Sequence, residues 1–129
     1  MRKLLESYAR SHDPAYFAPD AVLTLSGGAE QRFVGRFEIA AGLRRLYAEA
    51  FSQPRVDVRR VAIDSRQGAG VVELVLRGLH TGELLGIPPS FEATELPIVA
   101  VYELGRDEIQ GGRLYFDATR LRGRTTRGA

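Results

Sequence analysis

The chain has 129 residues and no cysteine, and its 18 lysines and arginines nearly balance 16 acidic residues to leave a net charge of +2. This length suits one domain, no apolar run approaches the ~20 residues that cross a membrane, and a disulfide framework or thiolate site is excluded. Four arginines lie in the last ten residues, whereas nucleic-acid-binding proteins concentrate basic charge on a folded face. We therefore expect a cytoplasmic protein with no nucleic-acid or membrane partner, one domain over residues 1–122, and a disordered basic tail over residues 123–129.

The first half of the chain predicts helices and a short strand pair. Residues 2–12 place Leu4, Leu5 and Tyr8 on one side of a helix. Asp13-Pro14 predicts a capped helical turn closed by Pro19. Residues 21–25 and 31–34 are typical of strands around a Gly27-Gly28 turn, and residues 37–51 repeat apolar side chains at the spacing of an amphipathic helix.

The second half predicts long antiparallel strands. Strand-like patterns start at residue 56 and continue over residues 71–80, 91–104 and 108–118, with turns near residues 67–70 and 105–107. Early helices followed by late strands indicate an α+β domain with its helices on one face of the sheet.

The segment between two of these strands is rich in recognisable residues. It reads Gly-Leu-His-Thr-Gly-Glu-Leu-Leu-Gly-Ile-Pro-Pro over residues 78–89, and it is followed by Glu95-Leu96-Pro97 and by Arg-Leu-Tyr-Phe-Asp over residues 113–117. Together these motifs resemble the SnoaL-like polyketide cyclases of the nuclear-transport-factor-two-like superfamily. The resemblance implies a curved, mixed but mainly antiparallel sheet with about three helices on one face, forming a cone-shaped α+β barrel around an apolar cavity.

The same resemblance implies an activity. SnoaL-like cyclases close a ring of a hydrophobic aromatic polyketide intermediate by intramolecular aldol condensation, and they use no cofactor. The alternatives are another acid/base reaction in the same pocket (isomerase, epoxide hydrolase or hydroxylase) and a non-catalytic binding or assembly domain.

Asp117 is the predicted general acid/base, because it ends the Tyr-Phe-Asp run at the position of the family's catalytic aspartate. Strand alternation puts Arg113, Tyr115 and Asp117 on one face. If the helices cover that face, Asp117 points into the cavity and burial raises its pKa. The alternative is a carboxylate that caps the strand end or pairs with Arg113 or Arg120.

His80 is the second catalytic candidate, since its ordinary pKa lies near neutrality and it occupies the histidine position of the family's Gly-x-His-x-Gly-Glu run. The alternative is a structural histidine bonded to a backbone carbonyl or to Glu83. Tyr8 is predicted to donate a hydrogen bond to a substrate carbonyl, with core packing as its alternative.

Three aromatic residues are predicted to form the wall of the substrate-binding cavity: Tyr47, Phe51 and Tyr115. The two histidines are far apart in sequence and predict no metal site. If Tyr115 faces inward, Leu114 and Phe116 project from the outer face of the sheet, which predicts a homodimer through that face. A bulge at Gly111-Gly112 would reverse this parity.

Overall fold

The computed structural model describes residues 1–123, and it forms six strands and two α-helices. Helix α1 spans Arg2–Ser11 and helix α2 spans Gly35–Arg44. The strands in chain order are β1 Phe17–Gly27, β2 Ala29–Val34, β3 Phe51–Asp64, β4 Ala69–His80, β5 Ala93–Leu104 and β6 Ile109–Phe116. The α+β class expected from the sequence is therefore confirmed.

All six strands belong to one open sheet with the order β2-β1-β6-β5-β4-β3. The pairing of β1 with β6 is parallel and every other pairing is antiparallel. The sheet is therefore mixed and mainly antiparallel, as predicted from the sequence. The sheet does not close, because β2 and β3 remain its two edges. The sequence predicted a barrel, but the structure has an open sheet that the helices cover on one face.

Two α-helices, rather than about three, cover the sheet. The Asp13-Pro14 signal produces only one 3₁₀ turn over Pro14–Tyr16, with the Asp13 carboxylate accepting a hydrogen bond from the amide of Ala15. Strand β1 then begins at Phe17, two residues before Pro19. The capped turn is confirmed, but the chain between the cap and β1 is too short for a second α-helix.

Helix α2 continues into a π-helical turn over Arg45–Glu49, in which the amide of Ala50 donates to the carbonyl of Arg45. π-Helical turns are rare, and they are frequent at functional sites. Here the turn carries Tyr47 toward the space beneath the helices, where it packs against the core.

The face of the sheet beneath the helices, the inner face, carries the core. Along β5 it presents Leu96, Ile98, Ala100, Tyr102 and Leu104, each no more than 5% exposed. Buried residues of both helices, of β1 and of β4 complete this core, in the space where the sequence predicted an apolar cavity. Burial of this apolar surface is the main force that holds the helices on the sheet.

The predicted tail lies, apart from Gly123, outside the described residues. Within residues 1–123 no helix is both long enough and apolar enough to cross a membrane.

Candidate functional site

Three tyrosines from distant parts of the chain meet beneath the helices. Tyr8 comes from α1, Tyr47 from the π-helical turn and Tyr102 from β5. The rings of Tyr8 and Tyr102 meet edge to face with their centroids 5.5 Å apart. We call these three residues the tyrosine cluster.

Tyr102 has a glycine as its neighbour on each adjacent strand. It pairs with Gly70 on β4 and with Gly112 on β6, so its neighbour on each side has no side chain. A Cβ atom at Gly112 would lie 2.6 Å from Cδ1 of Tyr102, and one at Gly70 would lie 2.5 Å from Cδ2 of Leu5. The absence of a side chain at Gly112 therefore leaves room for the ring of Tyr102, and its absence at Gly70 leaves room for Leu5 of α1.

The hydroxyls of Tyr8 and Tyr47 are buried and have no hydrogen-bond partner among residues 1–123. Burial first, and then the neighbouring phenols, raise the pKa of Tyr8 well above its ordinary value, and burial also raises that of Tyr47. The phenol of Tyr102 lies near that of Tyr8 and helps to raise its pKa, although the two hydroxyls do not meet the distance and angle of a hydrogen bond. Both hydroxyls thus stay protonated and can donate hydrogen bonds. A buried donor without a partner lowers the stability of the fold unless a ligand or a water molecule accepts its hydrogen bond.

His12 packs against the tyrosine cluster. It ends α1 in the left-handed conformation, with φ of 52°, and its ring lies on that of Tyr47 with a centroid distance of 4.2 Å. The ring of Tyr8 meets it edge-on at 5.3 Å. Burial lowers the pKa of His12 to about 4, so the imidazole is neutral at physiological pH and one ring nitrogen can accept a proton.

A groove of about 260 Å³ leads to this pair of rings from the surface. Its walls are the end of α1, the following turn and the last part of the second helix; the lining residues are Ser11, His12, Pro14, Ala40, Leu43, Arg44, Tyr47 and Ala48. Tyr47 belongs to both the groove and the tyrosine cluster. The groove therefore borders the tyrosine cluster through Tyr47, whose hydroxyl oxygen is itself buried.

Asp117 lies outside the core, so its predicted inward position is wrong. Phe116 pairs with Ile98, an inner-face residue, which places Phe116 inward and leaves Asp117 at the strand end. The Asp117 carboxylate accepts hydrogen bonds from the amide and hydroxyl of Thr119 at 3.0 and 2.7 Å and caps a 3₁₀ turn. These bonds lower its pKa, with Arg120 adding to the effect, where the sequence predicted a raised value.

The capping alternative for Asp117 is thus what the structure shows, whereas Arg113 pairs with Glu30 instead. The Asp117 carboxylate also lines a separate 300 Å³ pocket near Leu85 and Arg122. The catalytic role itself stays a prediction.

His80 is fully buried at the end of β4, where it connects distant backbone segments. Its Nδ1 atom lies 3.0 Å from the carbonyl of Leu121 and 3.3 Å from the amide of Ser90, and one tautomer can satisfy only one of them. Nε2 is buried without a partner among residues 1–123. The structural alternative, a bond to a backbone carbonyl, describes this environment; Glu83 instead pairs with Arg45.

His80 and the tyrosine cluster occupy different ends of the central strands. Gly78, two residues before His80, pairs with Thr94, whereas Gly70 pairs with Tyr102. Thr94 and Tyr102 are eight residues apart on β5. Eight residues of extended strand span about 26 Å, so His80 is far from the tyrosine cluster along the sheet. The two predicted catalytic residues, His80 and Asp117, do not join Tyr8 and Tyr47 in one site.

The remaining predicted residues divide between the two faces of the sheet. Phe51 is buried beside the His80 ring, with centroids 5.5 Å apart. Tyr115 is 47% exposed on the outer face, whereas Leu114 is fully buried. The expected parity of β6 is therefore reversed: Tyr115 is not a cavity wall, and Leu114 and Phe116 cannot form an outer interface. The β5–β6 register is continuous at Gly111 and Gly112 and shifts at Glu103/Leu104.

Sequence reasoning missed Tyr102 and gave His12 no role. The sequence signal for Tyr102 was its even spacing from the apolar residues of β5, which places it on their face of the sheet. The two glycines that pair with Tyr102 are evident only once the strands are aligned. No group of three histidine, aspartate or glutamate side chains within residues 1–123 is arranged to hold a metal ion.

Comparisons with known proteins agree with the fold. The model of a family described as the SnoaL-like domain matches residues 10–110. A proposed SnoaL-like polyketide cyclase from Jannaschia sp. CCS1 is 22% identical over 93% of this chain and 86% of that one, with a TM-score of 0.69. A phenazine biosynthesis-related protein from Pseudomonas aeruginosa is 16% identical over 92% and 76%, with a TM-score of 0.73.

Other structures of this fold have different activities. An LEH-like epoxide hydrolase from M. tuberculosis is 17% identical over 93% of this chain and 84% of that one, with a TM-score of 0.63. No curated protein matches the chain significantly by sequence. At these identities the similar structures establish the fold and leave the reaction open.

Proposed function

Because this chain belongs to the SnoaL-like domain family, we propose that it is a cofactor-independent enzyme that binds a hydrophobic aromatic ketone and catalyses an intramolecular aldol condensation, as in ring closure of a polyketide. The observation that carries the proposal is the pair of buried, unpartnered hydroxyls of Tyr8 and Tyr47. They supply two neutral donors in an apolar surrounding, which is what a carbonyl oxygen needs when it becomes an enolate. Ketosteroid isomerase stabilises its oxyanion in the same manner, with a tyrosine among the neutral donors of an apolar site.

The chemical step needs a proton acceptor beside these donors. His12 is neutral and contacts both rings, so it can take the proton from the carbon next to the bound carbonyl. The negative charge that forms on the enolate oxygen then stabilises the imidazolium. The enolate carbon attacks the second carbonyl of the same molecule, a carbon–carbon bond forms, and His12 returns its proton to the new alkoxide. No oxidant or reductant is consumed.

Two other assignments remain as alternatives. Asp117 is the rival base, with its carboxylate in the separate 300 Å³ pocket. A non-catalytic ligand-binding domain is the rival function, and one observation favours it: within residues 1–123 no aspartate or glutamate is among the buried residues. An isomerase or hydroxylase would use the same donors with a different substrate. An epoxide hydrolase would need a base that activates water and an acid that protonates the epoxide oxygen, and no carboxylate is buried in the core of residues 1–123 to serve in either role.

The test uses 1-tetralone, a fused-ring ketone with exchangeable protons next to its carbonyl. We expect the protein to bind it and to accelerate hydrogen–deuterium exchange at that carbon, followed by NMR. Tyr8→Phe and Tyr47→Phe should each slow exchange by about 10²-fold or more, whereas the outer-face control Tyr115→Phe should match wild type. Binding without exchange would favour the non-catalytic function, and no binding would overturn the proposal.

We also propose that the partner of the outer face is a second copy of the chain. This face carries Val99, Val101 and Tyr115, which are 40–47% exposed. Ion pairs lie on both sides, Arg77–Glu95 on one and Arg113–Glu30 on the other. In a two-fold dimer, the apolar strip of one copy can pack against the same strip of the other copy, and the charges at the borders can pair with charges of opposite sign. Val101→Arg should convert a dimer to a monomer in sedimentation, and a wild type that is monomeric at ~10 μM would contradict the proposal.

A further inference from the structure

We infer that the groove between α1 and the end of the second helix selects substrates with an aromatic carboxylate, which Arg44 holds at the groove mouth. The inference rests on the proposed function, since it takes the tyrosine cluster as the place where the carbonyl of the same molecule binds. It adds the chemical class of the substrate's other end.

The side chains that line the groove are mostly aromatic or apolar. His12 and Tyr47 are stacked with an angle of 32° between their planes, and the other lining side chains include Pro14, Ala40 and Leu43. A flat aromatic ring packs well on such a surface. The volume of about 260 Å³ is just below the usual range for small-molecule pockets, about 300–1,000 Å³. The groove therefore holds one or two rings of a ligand rather than a large polycycle.

The charge at the groove mouth is positive. Arg44 is exposed and makes no ion pair or side-chain hydrogen bond within residues 1–123, and none of the eight lining residues is acidic. The adjacent Arg45 differs, because Glu83 lies 3.1 Å and Glu49 3.7 Å from its guanidinium. The carboxylate of Asp13, next to the groove in sequence, is bonded to the amide of Ala15.

A second feature connects the mouth to the interior. Tyr47 forms part of the groove wall, while its hydroxyl is buried on the side of the tyrosine cluster with no partner in residues 1–123. A ligand in the groove thus lies between the tyrosine cluster and Arg44, and it can present a carboxylate to Arg44. A guanidinium suits that contact because its planar donors match a carboxylate.

The test compares 2-naphthoate with 2-naphthamide, which has the same rings without the charge. Titrations followed by ligand fluorescence should show 2-naphthoate binding about fivefold tighter or more at low salt, with the advantage decreasing as salt rises. Arg44→Gln should remove this advantage and leave 2-naphthamide affinity within twofold of wild type. Arg66→Gln is the matched control, since Arg66 is exposed in the β3–β4 turn and has no ion pair in the described chain.

Each outcome decides the inference. Equal affinity of wild type for the two probes, an unchanged preference in Arg44→Gln, or no binding of either probe would overturn it. The 1-tetralone experiment is independent of these results, because that ketone carries no charge. If 1-tetralone binds in a tyrosine-dependent way while Arg44→Gln changes nothing, the charge selectivity fails and the proposed function stands. Circular-dichroism melts of each variant confirm that the protein is folded.

Discussion

The two ends of the central strands differ in how their buried polar groups are hydrogen-bonded. At the end of β4, Nδ1 of His80 lies within hydrogen-bond distance of the backbone at Leu121 and Ser90. At the other end, the hydroxyls of Tyr8 and Tyr47 are just as deeply buried but have no hydrogen-bond partner among residues 1–123, as is also true of Nε2 of His80. The first arrangement uses Nδ1 of one ring to hold chain segments together, whereas the second leaves two hydroxyl donors from different elements for a ligand.

This difference shows why a motif and a site need not coincide. The residues that resemble a known family most closely, around His80, lie where a loop and the C-terminal segment must be fixed to the sheet. The tyrosines lie in no short motif, and only the folded chain brings them together. Unpaired donors that meet from distant elements, as Tyr8 and Tyr47 do, are therefore the feature on which we base the binding site.

The largest effect on stability should come from His80. Replacing it with alanine removes a fully buried ring and leaves the backbone groups of Leu121 and Ser90 without their partner, so we expect a loss of about 2–4 kcal/mol. Tyr8→Phe removes a hydroxyl that has no partner, so its stability should equal or exceed that of wild type. Urea denaturation measures both. A Tyr8→Phe protein as unstable as His80→Ala would show that the two ends do not differ.

The next effect concerns pH, and it arises from His12 at the tyrosine end. Burial lowers the pKa of His12 to about 4, below the ~6.5 of an unfolded chain. Between these values the unfolded state binds more protons. The stability from neutral His12 is therefore complete above about pH 6.5 and falls as pH decreases toward 4, by up to about 3 kcal/mol.

The His12→Gln variant should lose this part of the pH dependence. The measurement is the difference between the urea-unfolding free energies of wild type and variant at pH 7 and pH 4.5. A difference that does not change with pH would mean that His12 titrates normally in the folded protein.

A smaller effect should separate two neighbouring glycines on β6. Gly112→Ala places a Cβ 2.6 Å from the Tyr102 ring, whereas the Cβ of Gly111→Ala would meet the carbonyl of Val22 at 3.2 Å. Overpacking of this kind costs about 1–3 kcal/mol. We expect Gly112→Ala to be the less stable of the two and to bind 1-tetralone more weakly. Combining it with Tyr102→Leu should restore part of the stability, and a thermal melt tests this directly.

Local patterns predicted most of the secondary structure but not the faces of the sheet. The spacing of apolar residues located α1, the second helix and the last three strands, because that spacing reflects burial along one element. Alternation on β6 likewise separates Leu114 from Tyr115, yet it does not say which of them the helices cover. Pairing with β5 decides this, because Leu114 lies beside Ala100 and Phe116 beside Ile98 on the covered face.

The tyrosine cluster was harder to predict for the same reason. Tyr8 and Tyr47 were expected near a ligand from their helical positions, but their meeting with Tyr102 depends on contacts between distant elements. Gly70 and Gly112 were interpreted as turn and bulge residues, whereas in the fold they flank the Tyr102 ring. A glycine in a strand has several possible causes, and the sequence alone does not choose among them.

The smallest effect is expected for Asp117, and it tests the comparison most directly. Its carboxylate is exposed and bonded to Thr119, and Asn at this position keeps one oxygen that can accept from the Thr119 amide. Since the proposed donors and base all lie at the tyrosine end, Asp117→Asn should change the 1-tetralone exchange rate by no more than about threefold, whereas removal of a true catalytic base costs about 10²–10⁴-fold. His12→Gln is the matched comparison and should show the large loss. If instead Asp117→Asn abolished exchange while His12→Gln did not, the catalytic site would lie at the strand end, in the 300 Å³ pocket beside Leu85 and Arg122, and the tyrosine cluster would be part of the core.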